Sequence, residues 1–211
     1  MHFHDREEAG KLLGEKLGAY KNMADVLVVA LPRGGVVVGR AVADALNLPL
    51  DIIVPRKISS PDNDEYAIGA ICGDGAVWNE KERAGVDEAW LEKKIAAEKA
   101  EAMRRVATYR KGMPPEDVHG KTILLVDDGI ATGLTMRVAI KHLKAQDAAK
   151  IIVAVPVAPP ETVATLKREA DTVIVLYQPL FFGAVGAFYE HFDQVEDNEV
   201  VALIQKMRSS P

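Results

Sequence analysis

Short apolar runs alternate with amphipathic stretches along most of this chain. Val26–Leu31, Leu50–Val54, Thr122–Val126, Ile151–Val155 and Thr172–Leu176 are rich in β-branched residues and too short for helices. They read as buried strands. The stretches between them place apolar residues at helical spacing. Ala9, Leu12, Leu13, Leu17 and Tyr20 form one such stripe, with Asp5 placed to cap its start. Val36–Leu46 forms a second helix. Asp87–Arg110 is long and charged, with Leu91, Ile95, Ala102, Val106 and Tyr109 along one side. Lys94/Glu98 and Glu101/Arg105 stand four residues apart, where opposite charges support a helix. Met136, Ala139, Ile140 and Leu143 mark another helix. Pro159 and Pro160 open a further one with Glu161 in its first turn. A last helix runs from about Glu196 to Met207.

The period fails in two places. After Arg56 and Lys57, which close the second core strand, Ser59-Ser60-Pro61-Asp62-Asn63-Asp64 has the composition of a loop. Ala67–Cys72 and Ala76–Trp78 then form a small hairpin about Gly73-Asp74-Gly75. The segment from Gln178 to Gln194 is aromatic and irregular. Strands alternating with helices give an α/β class: an open, mostly parallel sheet with helices on both faces. Ligands in such sheets bind at the carboxyl ends of strands. The loops after Leu31, Val54 and Val126 are the suggestive ones.

The loop after Val126 carries most of the chemistry. Its strand ends in Asp127 and Asp128, followed by Gly129, Ile130, Ala131, Thr132, Gly133, Leu134 and Thr135 before the helix. Backbone N–H groups at a helix start lack internal partners and lie at the positive dipole end, which suits phosphate. Glycine permits close approach, and Thr132 and Thr135 add hydroxyl donors. The two carboxylates can accept hydrogen bonds from a sugar diol. Together these describe a seat for a ribose 5-phosphate. Pro32-Arg33-Gly34-Gly35, after the first strand, offers consecutive amides and one guanidinium, a combination suited to a diphosphate.

Val126-Asp127-Asp128-Gly129-Ile130-Ala131-Thr132-Gly133-Leu134-Thr135 resembles the phosphoribosyl diphosphate (PRPP) signature of the type I phosphoribosyltransferases. The resemblance covers roughly residues 22–177. It implies transfer of a 5-phosphoribosyl group from PRPP to a nitrogen nucleophile, a nucleobase by preference, with release of diphosphate. Mg2+ would ride on the substrate's oxygens. Asp127 and Asp128 would hold the ribose hydroxyls, and Gly129–Thr135 the 5′-phosphate. Arg33, Gly34, Gly35, Arg56 and Lys57 would contact the diphosphate. The resemblance further implies one domain over residues 1–211, with a core at about 22–177. A lid and long-helix insertion would span about 58–112, and a base-selecting C-terminal hood about 178–211, where Phe181 and Phe182 would meet the acceptor. Many 6-oxopurine enzymes of the family carry an aspartate where this chain has Ala131, which disfavours hypoxanthine and guanine. Two other readings share the fold: a PRPP- or nucleotide-binding regulator without turnover, and a hydrolase of PRPP or a phosphoribosylated compound. A homodimer is a further expectation from the family.

Composition narrows the partners. A formal charge of -5 argues against a general binder of nucleic acid or anionic membrane. A single cysteine, Cys72, excludes an intrachain disulfide framework and fits a reducing compartment. The first residues, Met-His-Phe-His-Asp-Arg, show no signal-peptide pattern, and the apolar runs are strand-sized. A cytoplasmic protein is expected. The histidines are weak signals: His2 and His4 have metal-compatible alternation near the start, His119 and His142 read as surface residues, His191 is a candidate acid or base, and with no Cys/His cluster no protein metal site is expected. Arg104, Arg105, Tyr109 and Arg110 suit solvated or dimer-facing positions on the long helix.

Overall fold

A computed structural model describes residues 2–208; Met1 and residues 209–211, the end of the expected hood, lie outside the described residues. Five strands form a parallel sheet: β1 (Val26–Ala30), β2 (Leu50–Ile52), β6 (Thr122–Val126), β7 (Lys150–Val157) and β8 (Thr172–Tyr177). Their spatial order is β2-β1-β6-β7-β8, with β1 in register against β6 from Val26↔Thr122 to Ala30↔Val126. Three further strands, β3 (Arg56–Ser60), β4 (Asn63–Cys72) and β5 (Gly75–Trp78), form a separate antiparallel sheet. The helices are α1 (Arg6–Lys16), α2 (Gly34–Leu46), α3 (Glu80–Arg83), α4 (Glu88–Arg110), α5 (Leu134–Lys144), α6 (Pro160–Leu166) and α7 (Asp197–Arg208).

The two faces of the parallel sheet follow from strand alternation. Val26, Val28, Ala30, Leu124 and Val126 point into a core shared with α1, α2 and α7. Leu27, Val29, Ile123 and Leu125 point to the opposite core, filled by Met136, Ala139, Ile140 and Leu143 of α5 and by Val163 and Leu166 of α6. A parallel strand covered on both faces needs an unbroken apolar run, and these strands have one.

The second sheet corrects the expectation for residues 56–64. Arg56 and Lys57 do not close the second core strand; they open β3, because Pro55 lacks the N–H that would continue β2. The polar stretch Ser59–Asp64 belongs to β3 and β4, turned at Pro61 and Asp62. The expected hairpin of β4 and β5 is present, extended by a third strand. Ile58, Ile68 and Ile71 of this sheet pack on Leu91 of α4, while Ala70 and Cys72 pack on Leu134 and Val138 of α5.

The capping of α1 by Asp5, which accepts from the Glu8 N–H at 2.8 Å, matches the sequence reading. So do the Lys94–Glu98 and Glu101–Arg105 pairs on α4. Tyr109 and Arg110 depart from it. Tyr109 is fully buried and donates to Asp197 at 2.7 Å, and Arg110 pairs with buried Asp51 at 3.0 Å. They tie α4 to α7 and β2 instead of facing solvent.

Helices α1 and α2 touch through glycine. A Cβ on Gly10 would lie 2.6 Å from the Ala41 Cβ and 2.7 Å from the Val38 carbonyl oxygen. Alanine normally stabilises a helix interior over glycine by about 1 kcal/mol. Here the backbone contact reverses the sign. We expect Gly10→Ala to cost about 1–3 kcal/mol in urea denaturation. Gly18→Ala, where nothing lies within 4 Å, should be near neutral. An unchanged or higher midpoint for Gly10→Ala would show that the helices can part without loss.

Candidate active site

The chain leaves β1 toward β2 on one side and later returns to lay β6 on the other. The strand order therefore reverses between β1 and β6. In open α/β sheets the crevice outside the strand ends at such a reversal is where ligands bind. A cavity of about 330 Å³ lies there, lined by the three suggestive loops: Leu31 and Pro32 after β1, Pro55 and Lys57 after β2, and Asp127–Gly133 with Thr135 after β6.

The β6 loop is held open as a cradle. Gly133 caps α5 with φ 79°, a left-handed conformation that side chains rarely adopt. The Ile130 N–H donates to the Val157 carbonyl at 2.9 Å, and the Thr162 hydroxyl donates to the Ala131 carbonyl at 2.6 Å. These bonds anchor the loop to β7 and α6. The first turn of α5, with its uncompensated N–H groups, opens toward the loop. Ile130 and Leu134 turn their side chains into packed cores, so what they offer a ligand is backbone.

The acid pair sits on the cavity floor. Burial first, then the like charge of Asp128, pushes Asp127 well above the usual carboxylate range. Burial raises Asp128 too, opposed by Arg6. The Arg6 Nε donates to Asp128 Oδ2 at 2.8 Å, and its Nη1 donates to the Asp193 carbonyl at 2.8 Å. Its guanidinium also stacks 3.8 Å from the Phe192 ring centre. The Tyr189 hydroxyl donates to the Asp128 carbonyl at 2.5 Å. Gly34 and Gly35, at the start of α2, lie directly against the pair. A Cβ on Gly34 would collide with the Asp128 carboxylate, and one on Gly35 would sit 2.7 Å from Asp127 Oδ1. These glycines allow the β1 loop to approach the acids.

The structure gathers some of the sequence-selected residues and separates others. Asp127, Asp128, Gly129, Ile130, Ala131, Thr132, Gly133, Thr135 and Lys57 line the cavity. The Arg33 guanidinium instead lies 3.8 Å from Glu196 and 3.9 Å from Asp197 at the start of α7. Arg56 is held by Glu98 of α4 at 2.7 Å. Phe181 is 93% exposed, and Phe182 packs against Phe188, so neither ring lines the cavity. His191 stacks edge-on against His4, away from the cavity lining. Sequence reasoning missed Arg6, and it named Val185, Tyr189 and Phe192 only as part of the C-terminal segment, without singling them out. Val185 and Phe192 line the cavity; Arg6 and Tyr189 hold Asp128. The available signal was an arginine beside the first helix cap and an aromatic tail, neither of which fixes a partner.

A larger and more apolar cavity of about 920 Å³ lies between β2, the β4–β5 turn, α4 and α5. None of the motif residues lines it. Size alone does not locate the chemistry.

Two measurements probe the buried charge. The folded pKa of Asp127 lies above its unfolded value, so the folded state retains a proton that the unfolded chain releases. That contribution favours folding in acid and is lost as pH rises from about 3.9 through the folded pKa. Asp127→Asn carries no charge and keeps an oxygen for the Asp128 N–H, which donates to Asp127 Oδ1 at 2.8 Å. We expect this variant to have the higher Tm at pH 7, with the gain shrinking toward pH 4. A lower Tm at pH 7 would contradict the account. Removing Arg6 acts oppositely, because Asp128 is left buried without its counter-charge. Arg6→Ala should cost about 3 kcal/mol or more, and less when Asp128→Asn is already present. Equal costs in both backgrounds would mean the pair is not coupled.

Comparison with known proteins agrees with this geometry. The sequence model of the phosphoribosyl transferase domain matches residues 6–189. A Mycobacterium tuberculosis protein named "Putative phosphoribosyl transferase Rv0571c" is 39% identical over 207 residues, which is 97% of this chain and 46% of that protein. The chain thus spans about half the length of that relative. The crystal structure of TT1426 from Thermus thermophilus superposes with a TM-score of 0.82 at 38% identity, covering 98% of this chain and 99% of that one. A strand order that reverses beside a loop carrying paired carboxylates, and a family match across most of the sequence, lead to one conclusion: this chain belongs to the phosphoribosyl transferase domain family.

Proposed function

We propose that this chain transfers a 5-phosphoribosyl group from PRPP to a nitrogen nucleophile and releases diphosphate. The observation that carries the proposal is the convergence of three loops on one cavity, with the acid pair on its floor and the α5 start at its edge. Thr132, Thr135 and the first-turn amides of α5 hold the 5′-phosphate. Asp127 and Asp128 accept from the ribose hydroxyls and favour positive charge as C1 becomes oxocarbenium-like. Lys57 and the β1 loop face the diphosphate. Catalysis is then positioning and electrostatics, with no covalent enzyme intermediate.

The donor set fits a hard cation. Two carboxylates side by side, with Asp127 raised in pKa first by burial and then by Asp128, favour an approaching cation or hydroxyl donor. Mg2+ takes oxygen ligands, retains waters and neutralises phosphate charge when bound with the substrate. Asp127, Asp128 and the substrate's own oxygens would supply its contacts. The acceptor then enters beside Val185 and Phe192, which line the cavity with apolar surface suited to a flat heterocycle. Ala131 offers a base no carboxylate. Arg33, bound to Glu196 and Asp197 at near 4 Å through a loose and partly exposed pair, is free to swing to the diphosphate at small cost.

A diphosphate-release screen across purine and pyrimidine bases tests the reading. Base-dependent release with a phosphoribosylated product is expected. Release without base would assign a hydrolase, and PRPP binding without release under any base would assign a regulator. The double variant Asp127→Asn/Asp128→Asn should lose at least about a hundredfold in turnover while remaining folded. Unchanged turnover would remove the acid pair from the ribose site.

A further inference from the structure

We propose a divalent transition-metal site at His4, Glu190 and His191, taking Zn2+ between two imidazoles and one carboxylate. Among the described residues, these three can bring one ligand atom each within 4.8 Å of one another. The His4 Nδ1 and Glu190 Oε2 are already 3.0 Å apart. A tetrahedral ion with ligands at about 2.0–2.2 Å holds them roughly 3.3–3.5 Å apart. All three side chains are exposed, so small rotations close the remaining distance.

The backbone beneath them is fixed. Phe3 and Tyr189 form a parallel bridge. The Phe3 N–H donates to the Phe188 carbonyl, the Glu190 N–H to the Phe3 carbonyl and the His191 N–H to the His4 carbonyl, each at 2.9 Å. The Phe3 and Tyr189 rings pack beneath, 5.4 Å apart. Two segments 186 residues apart in sequence thus present their donors side by side. The surroundings are acidic: Asp5 follows His4 directly, and the Glu8 carboxylate accepts from the His4 N–H at 2.6 Å. Two nitrogens with one oxygen suit zinc-class ions over Mg2+ or Ca2+, which prefer oxygen.

The site would lock the segment before α1 to residues 188–191. The same two segments carry Arg6 and Tyr189, which hold Asp128. The proposal does not depend on the transferase reading. Calorimetry of chelator-treated protein with ZnCl2, without PRPP, tests it. One ion should bind with a Kd of about 10 µM or tighter and raise the Tm. His4→Ala, His191→Ala and Glu190→Gln should each weaken binding by about tenfold or more and abolish the Tm shift. These side chains are exposed, so their loss spares the core. His119→Ala and Asp127→Asn/Asp128→Asn should bind like wild type, which separates this site from the acid pair. No saturable binding below about 100 µM would overturn the proposal. So would unchanged affinity in the His4 and His191 variants.

Discussion

Two carboxylates placed side by side at the buried end of a strand repel each other and lose water, and both effects oppose folding. The rest of this molecule is arranged around that cost. Arg6 supplies one counter-charge to Asp128, and the Asp128 N–H donates to Asp127. Gly34 and Gly35 bring a second loop against the pair without a Cβ in the way. The pair stands beside the strand-order reversal, where the β1 and β6 loops flank one crevice. A pair so unfavourable for stability fits a role in binding, where hydroxyl donors or a cation relieve it.

The scaffold and the site share their parts. The β7 end accepts from Ile130 and α6 pins Ala131 through Thr162, so the loop after the acids is shaped by packing against the neighbouring strand and its helix. The chain ends reach the same place from outside the core. The Phe3–Tyr189 bridge sets Arg6 and the Tyr189 hydroxyl on Asp128, and Phe192 stacks on the Arg6 guanidinium. Residues at both ends of the chain therefore determine how the central carboxylates are held.

Local signals made much of this legible in the sequence. The core strands and α4 follow from period and composition, and Asp127–Thr135 from fixed spacing on a strand–loop–helix turn. What was not legible depends on contacts distant in sequence. Ser59–Asp64 looks like a loop, yet pairing draws it into strands, because strand formation depends on the partner more than on propensity. Arg33 and Arg56 follow strands toward the cavity, but the sequence does not show that Arg33 rests beside Glu196 and Asp197 or that Arg56 is paired with Glu98. Phe182, Phe188 and Tyr189 of the C-terminal segment are spent on packing with Phe3, which leaves Phe192 as the ring at the cavity, beside Val185. Arg6 lies 122 residues from Asp128, a separation at which no local pattern names the partner.

The central claim is that the cavity between the β1 and β6 loops seats a phosphoribosyl group on the acid pair. Calorimetric titration with PRPP and Mg2+, compared with ribose 5-phosphate and with inorganic diphosphate, tests it most directly. The account predicts saturable binding of PRPP at one site, weaker binding of each fragment, and competition of both fragments with PRPP. Folded protein that binds none of the three, or binds PRPP without competition from ribose 5-phosphate, would contradict it.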